Sequence, residues 1–474
     1  MTRQIWLGTS QVPASDGATF EVTDPATGEV IDTVADATVA DALTALERAV
    51  PAGEAWAQTA PQQRADLLTR VFELIGERAD EFARTMTREM GKPLAEAYGE
   101  VTYGNSYFRW FAGEAVRIPG RFTTAPGGNG HILVTRAAVG PVLAITPWNF
   151  PLAMATRKIA PALAAGCPVI VKPAAETPLT MLLLGEVLRD AGIPDGLVSI
   201  LPSTHDAEIS ATLMADDRLR KVTFTGSSPV GRLLVRQSAD RLLRTSMELG
   251  GNAPFVVAAD ADLDLVLAAA MQAKMRNGGE ACIAANRFLV DETIAAEFTD
   301  RLTAAMDAVV MGHGLDEGTT LGPVITAKQR DRIAALVDEA VAAGATVTTG
   351  GEVPAGPGNF YPATVLTDVP ADARILHEEI FGPVATVSTF ATLDEGVRLA
   401  NDTEFGLASY GFSTDATTAQ YLAAHLAAGM VGINRGAISD AAAPFGGIKQ
   451  SGFGREGGVE GIEEYLETRY IALG

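Results

Sequence analysis

Between residues 140 and 250 short apolar runs alternate with longer amphipathic ones, and this alternation predicts the core of the fold. GPVLAIT (140–146), GCPVIVKP (166–173), GLVSILP and KVTFTG (221–226) each read as a short buried strand. Helical patterns follow them, through RKIAPALAAG, LTMLLLGEVLRDAG, the region of DAEISATLM, and from about Pro229. Strands alternating with helices of about 10–15 residues predict right-handed crossovers and a doubly wound parallel sheet. Such sheets bind ligands beyond the carboxyl ends of their strands, which here are TPWNFP, KPAAETP and FTGSSPVG. The last is a strand, a glycine turn and a helix start, whose free N–H groups suit a diphosphate. Its glycines, Gly226 and Gly231, do not make a GxGxxG fingerprint, and steric need alone explains many such pairs.

The flanking regions have other periods. Residues 38–116 read as helical, with Pro51 and Gly53 expected to end the first helix. Residues 121–138 read as a loop and an alternating strand, which suits an arm leaving the globule. After residue 250 a second strand–helix set begins with NAPFVV and NRFLVDE. Helices are predicted over 291–309 and 327–343, strands in GATVTTGG and FYPATVL, and a strand-rich stretch to about 435. The tail, GIEEYLETRYIALG, ends in an alternating strand able to pair with 131–138. Two exposed strands so far apart in sequence imply an edge covered by another subunit, so a homodimer or homotetramer is expected.

Composition narrows the class. A chain of 474 residues is too long for one small core, and two or three units are expected. A net charge of −22 argues against a nucleic-acid partner, though a small anion needs only a local positive pocket. Two cysteines fit a reducing compartment. The start, MTRQIWLGTSQVPASDG, does not resemble a secretory signal, and no apolar run reaches the ~18–20 residues of a membrane span. A cytoplasmic location is expected, with no membrane partner. The five histidines, at 131, 205, 313, 377 and 425, show no ligand spacing, so no metal is expected.

Cys282, in MRNGGEACIAANRFLV, is the residue with the most chemical promise. A thiolate is a strong nucleophile where its surroundings favour ionisation, although free cysteine more often behaves as a small buried hydrophobe. Its companions decide. TPWNFP, MELGGNAP, GGEACIAANRF, EEIFGPV and APFGGIKQSGFGREG, in this order, resemble the aldehyde dehydrogenase superfamily over nearly the whole chain. The resemblance implies an α/β fold with a doubly wound cofactor domain (1–117 and 139–249) and a catalytic domain (250–458). It also implies a small β oligomerisation arm (118–138 and 459–474). The implied activity is aldehyde oxidation with NAD or NADP. A silent binding protein on the same fold would be expected to lack one of Cys282, Glu248 or Asn149, and none is missing.

By that resemblance Cys282 is the nucleophile, Asn149 an amide donor to the alkoxide, and Glu248 the base that activates water. Relatives that pass the acyl group to coenzyme A commonly lack this base, so water is the expected acceptor. For the cofactor the resemblance points to Lys172 at the adenosine ribose and to Trp148, Gly226 and Ser227 near the diphosphate. Glu379 and Phe381 would meet the nicotinamide end. NAD-preferring members carry a glutamate where this chain has Ala175, which leaves room for a 2′-phosphate and favours NADP; Glu176 is adjacent.

Within the superfamily the tail is most similar to succinate-semialdehyde dehydrogenases, which grip the substrate carboxylate with two arginines and a serine. Arg157, Arg276 and Ser439 match them, and arginine's planar fork suits a carboxylate. Each arginine also stands at a helix end, where a cation can be merely structural. The expected substrate is a small carboxylate-bearing aldehyde, succinate semialdehyde first. Glutarate semialdehyde or a neutral aliphatic aldehyde is the alternative. Glu280, two residues before the thiol, is expected to point away from it. Ala284 rules out a redox disulfide with a neighbour two residues on, and Cys167 reads as structural.

Overall fold

A computed structural model describes residues 2–474. The alternation after residue 140 becomes the centre of an eight-stranded sheet. Its order is Gly452–Phe453, Arg244–Glu248, Lys221–Thr225, Val142–Ile145, Val169–Lys172, Val198–Ile200, Ile5–Leu7 and Ser10–Val12. The five strands from Arg244–Glu248 to Val198–Ile200 are parallel, and antiparallel strands close both edges. From Val142–Ile145 the chain first winds outward to one side, then returns and winds to the other. The order therefore reverses between Val142–Ile145 and Lys221–Thr225, and the crevice beyond those two carboxyl ends is where such sheets bind ligands.

Glu248 ends the last parallel strand, and Leu249-Gly250-Gly251-Asn252 carries the chain into a second sheet. That sheet has seven strands, in the order Thr346–Thr349, Thr364–Thr367, Val384–Phe390, Ala285–Asp291, Ala253–Val257, Ala408–Phe412 and Met430–Ile433. All are parallel except the first. The two glycines of the link have steric reasons. A Cβ on Gly250 would come within 2.6 Å of Glu379 Oε2, and one on Gly251 would meet the Cys282 carbonyl oxygen. Both sheets thus press on the same point.

The tail strand Leu466–Leu473 pairs antiparallel with His131–Ala138 over its whole length, and Arg121–Thr124 completes a three-stranded sheet. Phe122 and Tyr470 on it are exposed.

Two expectations need correction. Pro51 and Gly53 do not end the first helix, which runs from Val39 to Ala57. Thr38 and Asp41 form a capping box at its start, and Ala45, Leu46, Ala49 and Trp56 are buried along one face. That burial offsets the hydrogen bond lost at proline, about 3 kcal/mol in an exposed helix. Gly53 serves a close approach instead, since a Cβ there would lie 2.6 Å from Pro168. The stretch before 435 is also less strand-rich than expected. Helices Leu393–Asn401 and Ala416–His425 alternate with its strands and make the crossovers that parallel strands require. Among the described residues no helix is long and apolar enough to cross a membrane.

Candidate active site

A cleft of about 500 Å³ opens at the reversal point of the first sheet. Trp148 and Asn149, from the end of Val142–Ile145, line one wall, with Gly226 and Ser227 from the end of Lys221–Thr225. Glu248, Cys282, Glu379 and Phe381 line the other side. A second, smaller cavity lies behind the thiol, lined by Arg157, Arg276, Ser439, Phe150, Tyr103 and Phe445 among others. Among the described residues Cys282 is the one that lines both. The sulfur therefore stands between the cleft at the first sheet and a cavity lined by two arginines.

Burial pushes the Cys282 thiol up to about 12; Arg157 draws it down, while Glu379 and Glu248 add to the rise. Its surroundings thus oppose ionisation, and attack needs a proton acceptor. Glu248 is buried, and neither of its carboxylate oxygens has a hydrogen-bond partner. Burial first, and Glu456 second, raise its carboxyl well above the ordinary range, against the pull of Arg157, Lys158 and Arg455. Asn149 donates one Nδ2 hydrogen to the Glu280 carbonyl at 3.0 Å, and its amide has a second N–H. Its main-chain oxygen is held by Lys92 Nζ at 2.8 Å and Asn277 Nδ2 at 3.0 Å. Glu280 turns its carboxyl to the Ile325 N–H at 3.3 Å.

Arg157 lies in helix Ala153–Ala165, all thirteen residues of which are buried. Its Nε binds Glu456, its guanidinium stacks 3.9 Å from the Phe445 ring centroid, and Nη2 is 3.9 Å from Glu248 Oε2. Nη1 and Nη2 are buried without a hydrogen-bond partner, an open donor edge that a bound anion would satisfy. Arg276 stacks over Phe150 and Tyr103, at 4.9 Å and 5.3 Å.

Sequence reasoning missed Glu456 and Lys158. Glu456 binds both Arg157 and Lys158, and against the cost of burial these two cations hold its carboxyl below the usual range. A signal existed. Two adjacent cations inside an apolar helix require a carboxylate from elsewhere. Also missed were Gln329 and Arg332, which donate to the carbonyls of Phe381 and Glu379, each at 2.7 Å. They hold the loop on which Phe381 keeps a left-handed φ of +56°, a conformation that costs on the order of 1–3 kcal/mol. Nothing in TAKQRDR announces that task. Phe381 meets Trp148 edge to face across the cleft, ring centroids 5.3 Å apart.

The residues fit a dinucleotide. Ser227 caps helix Ser228–Ser238 without using its side chain; Pro229 has no N–H, so Ser228 and Val230 supply the uncapped N–H groups of the first turn. Glu379 accepts the Gly251 N–H at 3.0 Å, and burial raises its carboxyl to about 7. Lys172 and Ala175 do not line the cleft itself. Lys172, at its strand's carboxyl end, is ion-paired with Asp206 of the next-but-one crossover helix. No group of three or more metal-ligating side chains occurs among the described residues.

The fold and the match to known families define an aldehyde-oxidising enzyme of the NAD(P)-dependent class. The chain belongs to the aldehyde dehydrogenase family, whose model matches residues 12–471. It is 55% identical to a succinate-semialdehyde dehydrogenase of Paenarthrobacter nicotinovorans, over 94% of this chain and 99% of that one. It is 45% identical to a glutarate-semialdehyde dehydrogenase of Pseudomonas putida, over 99% and 98%. The crystal structure of an NADP-dependent enzyme from E. coli superposes with a TM-score of 0.98 at 41% identity, covering 100% of this chain and 98% of that one.

Proposed function

We propose that the enzyme oxidises succinate semialdehyde to succinate, with Cys282, Asn149 and Glu248 carrying the chemistry. The carrying observation is that Cys282 alone joins the dinucleotide cleft to a pocket with two arginines. In this reading a water in the cleft takes the Cys282 proton and passes it to solvent, and the sulfur adds to the aldehyde carbon. The carbonyl electrons move onto oxygen, and the Asn149 amide N–H stabilises the alkoxide; one such donor is typically worth ~3–4 kcal/mol of barrier. A bound NAD(P) would supply the acceptor for a hydride from that carbon, and Cys282 would then hold the acyl group as a thioester. Glu248 then takes a proton from water, hydroxide adds to the thioester carbon, and the C–S bond breaks to free the acid and the thiolate.

The substrate carboxylate fits the open Nη1 and Nη2 edge of Arg157, with Arg276 and Ser439 completing the grip. Arg276→Ala is expected to lower kcat/KM for succinate semialdehyde by about 1.5–3 kcal/mol, the range of a hydrogen bond to a charge. Butanal, a neutral aldehyde of equal chain length, should lose much less. Equal losses on both would sink the clamp. Glutarate semialdehyde is the second reading, favoured by the Pseudomonas putida relative; one methylene is worth only ~1–3 kcal/mol.

The reading of the cofactor preference is NADP, because Ala175 puts no carboxylate at the ribose. Asp206 works the other way, since it occupies Lys172 and would repel a 2′-phosphate. Asp206→Asn is therefore expected to raise the NADP-to-NAD ratio of kcat/KM by about tenfold, near 1.4 kcal/mol. An unchanged ratio would show that Lys172 does not meet the 2′ position. The eight-stranded sheet serves as the cofactor unit, the seven-stranded sheet as the catalytic unit, and the three-stranded sheet as the arm of a homo-oligomer. Exposed Phe122 and Tyr470 support the last assignment.

A further inference from the structure

Three consecutive left-handed residues separate Arg276 from Glu280. Helix Leu263–Met275 stops at Arg276, and Asn277 (φ +55°), Gly278 (φ +60°) and Gly279 (φ +76°) then reverse the chain. Glycine enters this region freely, whereas Asn277 needs partners to stay there. Its side-chain Nδ2 donates to the carbonyls of Asn149 and Glu280, at 3.0 Å and 3.1 Å. Its main-chain N–H donates to Glu96 Oε2 at 2.7 Å. This is the first N–H after Arg276, and the acceptor comes from a segment about 180 positions earlier in the chain.

Glu96 stands in the first turn of helix Leu94–Ala115. The next positions on the same helix face are Glu100 and Tyr103, spaced as i, i+4 and i+7. Each supports the site from beneath. Tyr103 lies under the Arg276 guanidinium, centroid distance 5.3 Å. Glu100 pairs with Lys92 and accepts the Leu152 N–H at 2.9 Å, next to the Asn149 carbonyl that Lys92 holds. Arg276 itself makes no ion pair among the described residues, so its aim depends on the turn and on the two rings. Burial pushes the Glu96 carboxyl up to about 7, while Lys92, the Asn277 N–H and Arg276 draw it back down.

We infer that Glu96 is a specificity-positioning residue: by holding the Asn277 N–H it fixes the turn that aims Arg276 at the substrate carboxylate, without itself touching substrate. The inference rests on the carboxylate-clamp reading above. Without its acceptor, the N–H of a left-handed residue is left unsatisfied and the turn relaxes. A displacement on the order of 1 Å is enough to spoil a paired guanidinium–carboxylate geometry.

The test uses the full-length enzyme as Glu96→Ala, Glu96→Gln and Glu96→Asp, with Arg276→Ala as reference. KM and kcat are measured for succinate semialdehyde and butanal, and succinate binding by calorimetry without turnover. Glu96→Ala is expected to raise the KM for succinate semialdehyde and the Kd of succinate about tenfold; Lys92 still holds the Asn149 carbonyl, so kcat and the butanal KM stay within about twofold. Glu96→Gln, which keeps an acceptor oxygen, restores both. Should Glu96→Ala not fold, Glu96→Asp withdraws the oxygen by one methylene and must show the same selective rise. Equal effects on the two aldehydes, unchanged succinate binding, or no rescue by glutamine would overturn the inference. If Arg276→Ala itself fails to discriminate, the clamp reading falls. If it discriminates and the Glu96 variants do not, only the positioning role falls.

Discussion

Cys282→Ala is expected to lower kcat/KM for aldehyde oxidation by ~10⁴-fold or more while leaving dinucleotide binding in place. The cleft walls from Trp148, Ser227, Glu379 and Phe381 do not depend on the sulfur for their positions. Glu379 and Phe381 are held through Gln329, Arg332 and the Gly251 N–H, and Trp148 packs against the Phe381 ring. A fluorescence titration with NADP should therefore give a Kd near that of the parent enzyme, with no reduced cofactor formed on adding aldehyde. Residual turnover within tenfold of the parent would remove Cys282 from the mechanism. Cys167 provides the control. It is fully buried, its thiol donates to the Tyr465 carbonyl at 3.4 Å, and burial raises it to about 11. Cys167→Ala should leave kcat/KM intact, and a thiol-alkylating probe should label Cys282 alone.

Glu248→Gln separates the two half-reactions. The expected result is one equivalent of reduced cofactor per active site in a rapid burst, followed by steady-state turnover slowed by ~10²–10⁴-fold. Mass spectrometry of the stalled enzyme should find the acyl group on Cys282. In the parent enzyme the deacylation rate should climb with pH, because the base works only when ionised. Burial and Glu456 move that ionisation above the ordinary carboxyl range, so the climb is displaced to higher pH. Glutamine does not titrate, and the climb should vanish with it. Loss of the burst as well would place Glu248 earlier, as the group that deprotonates the thiol. Equal burst and steady-state rates in the parent and the variant would exclude it from both steps.

Much of the site was legible in the chain because its parts are local. TPWN and TGSS follow strands whose period is short-range, and the reversal of strand order sets those ends side by side. Cys282, Glu248 and Asn149 are chemically distinctive residues in short motifs, so their grouping was foreseeable. The partners that set their protonation were less so. Glu456 lies 299 positions from Arg157 in sequence, and no local pattern records which buried cation a distant carboxylate will meet. The same holds for Asp206, which occupies the Lys172 ammonium, and for Glu96 beneath the Arg276 turn.

By itself, then, the sequence determined the alternating elements, the parallel sheet and the family, and it singled out the candidate reactive groups. These depend on periodicity, turn residues and functional groups that act within a few positions of the chain. The tertiary structure alone decided that Cys282 is the junction of two cavities, and that Arg157 keeps an open donor edge. It also decided that Pro51 sits inside a helix because a buried face outweighs a lost hydrogen bond. Burial, close approach and charge pairing are properties of segments brought together across hundreds of residues, and they exist only once the chain has folded.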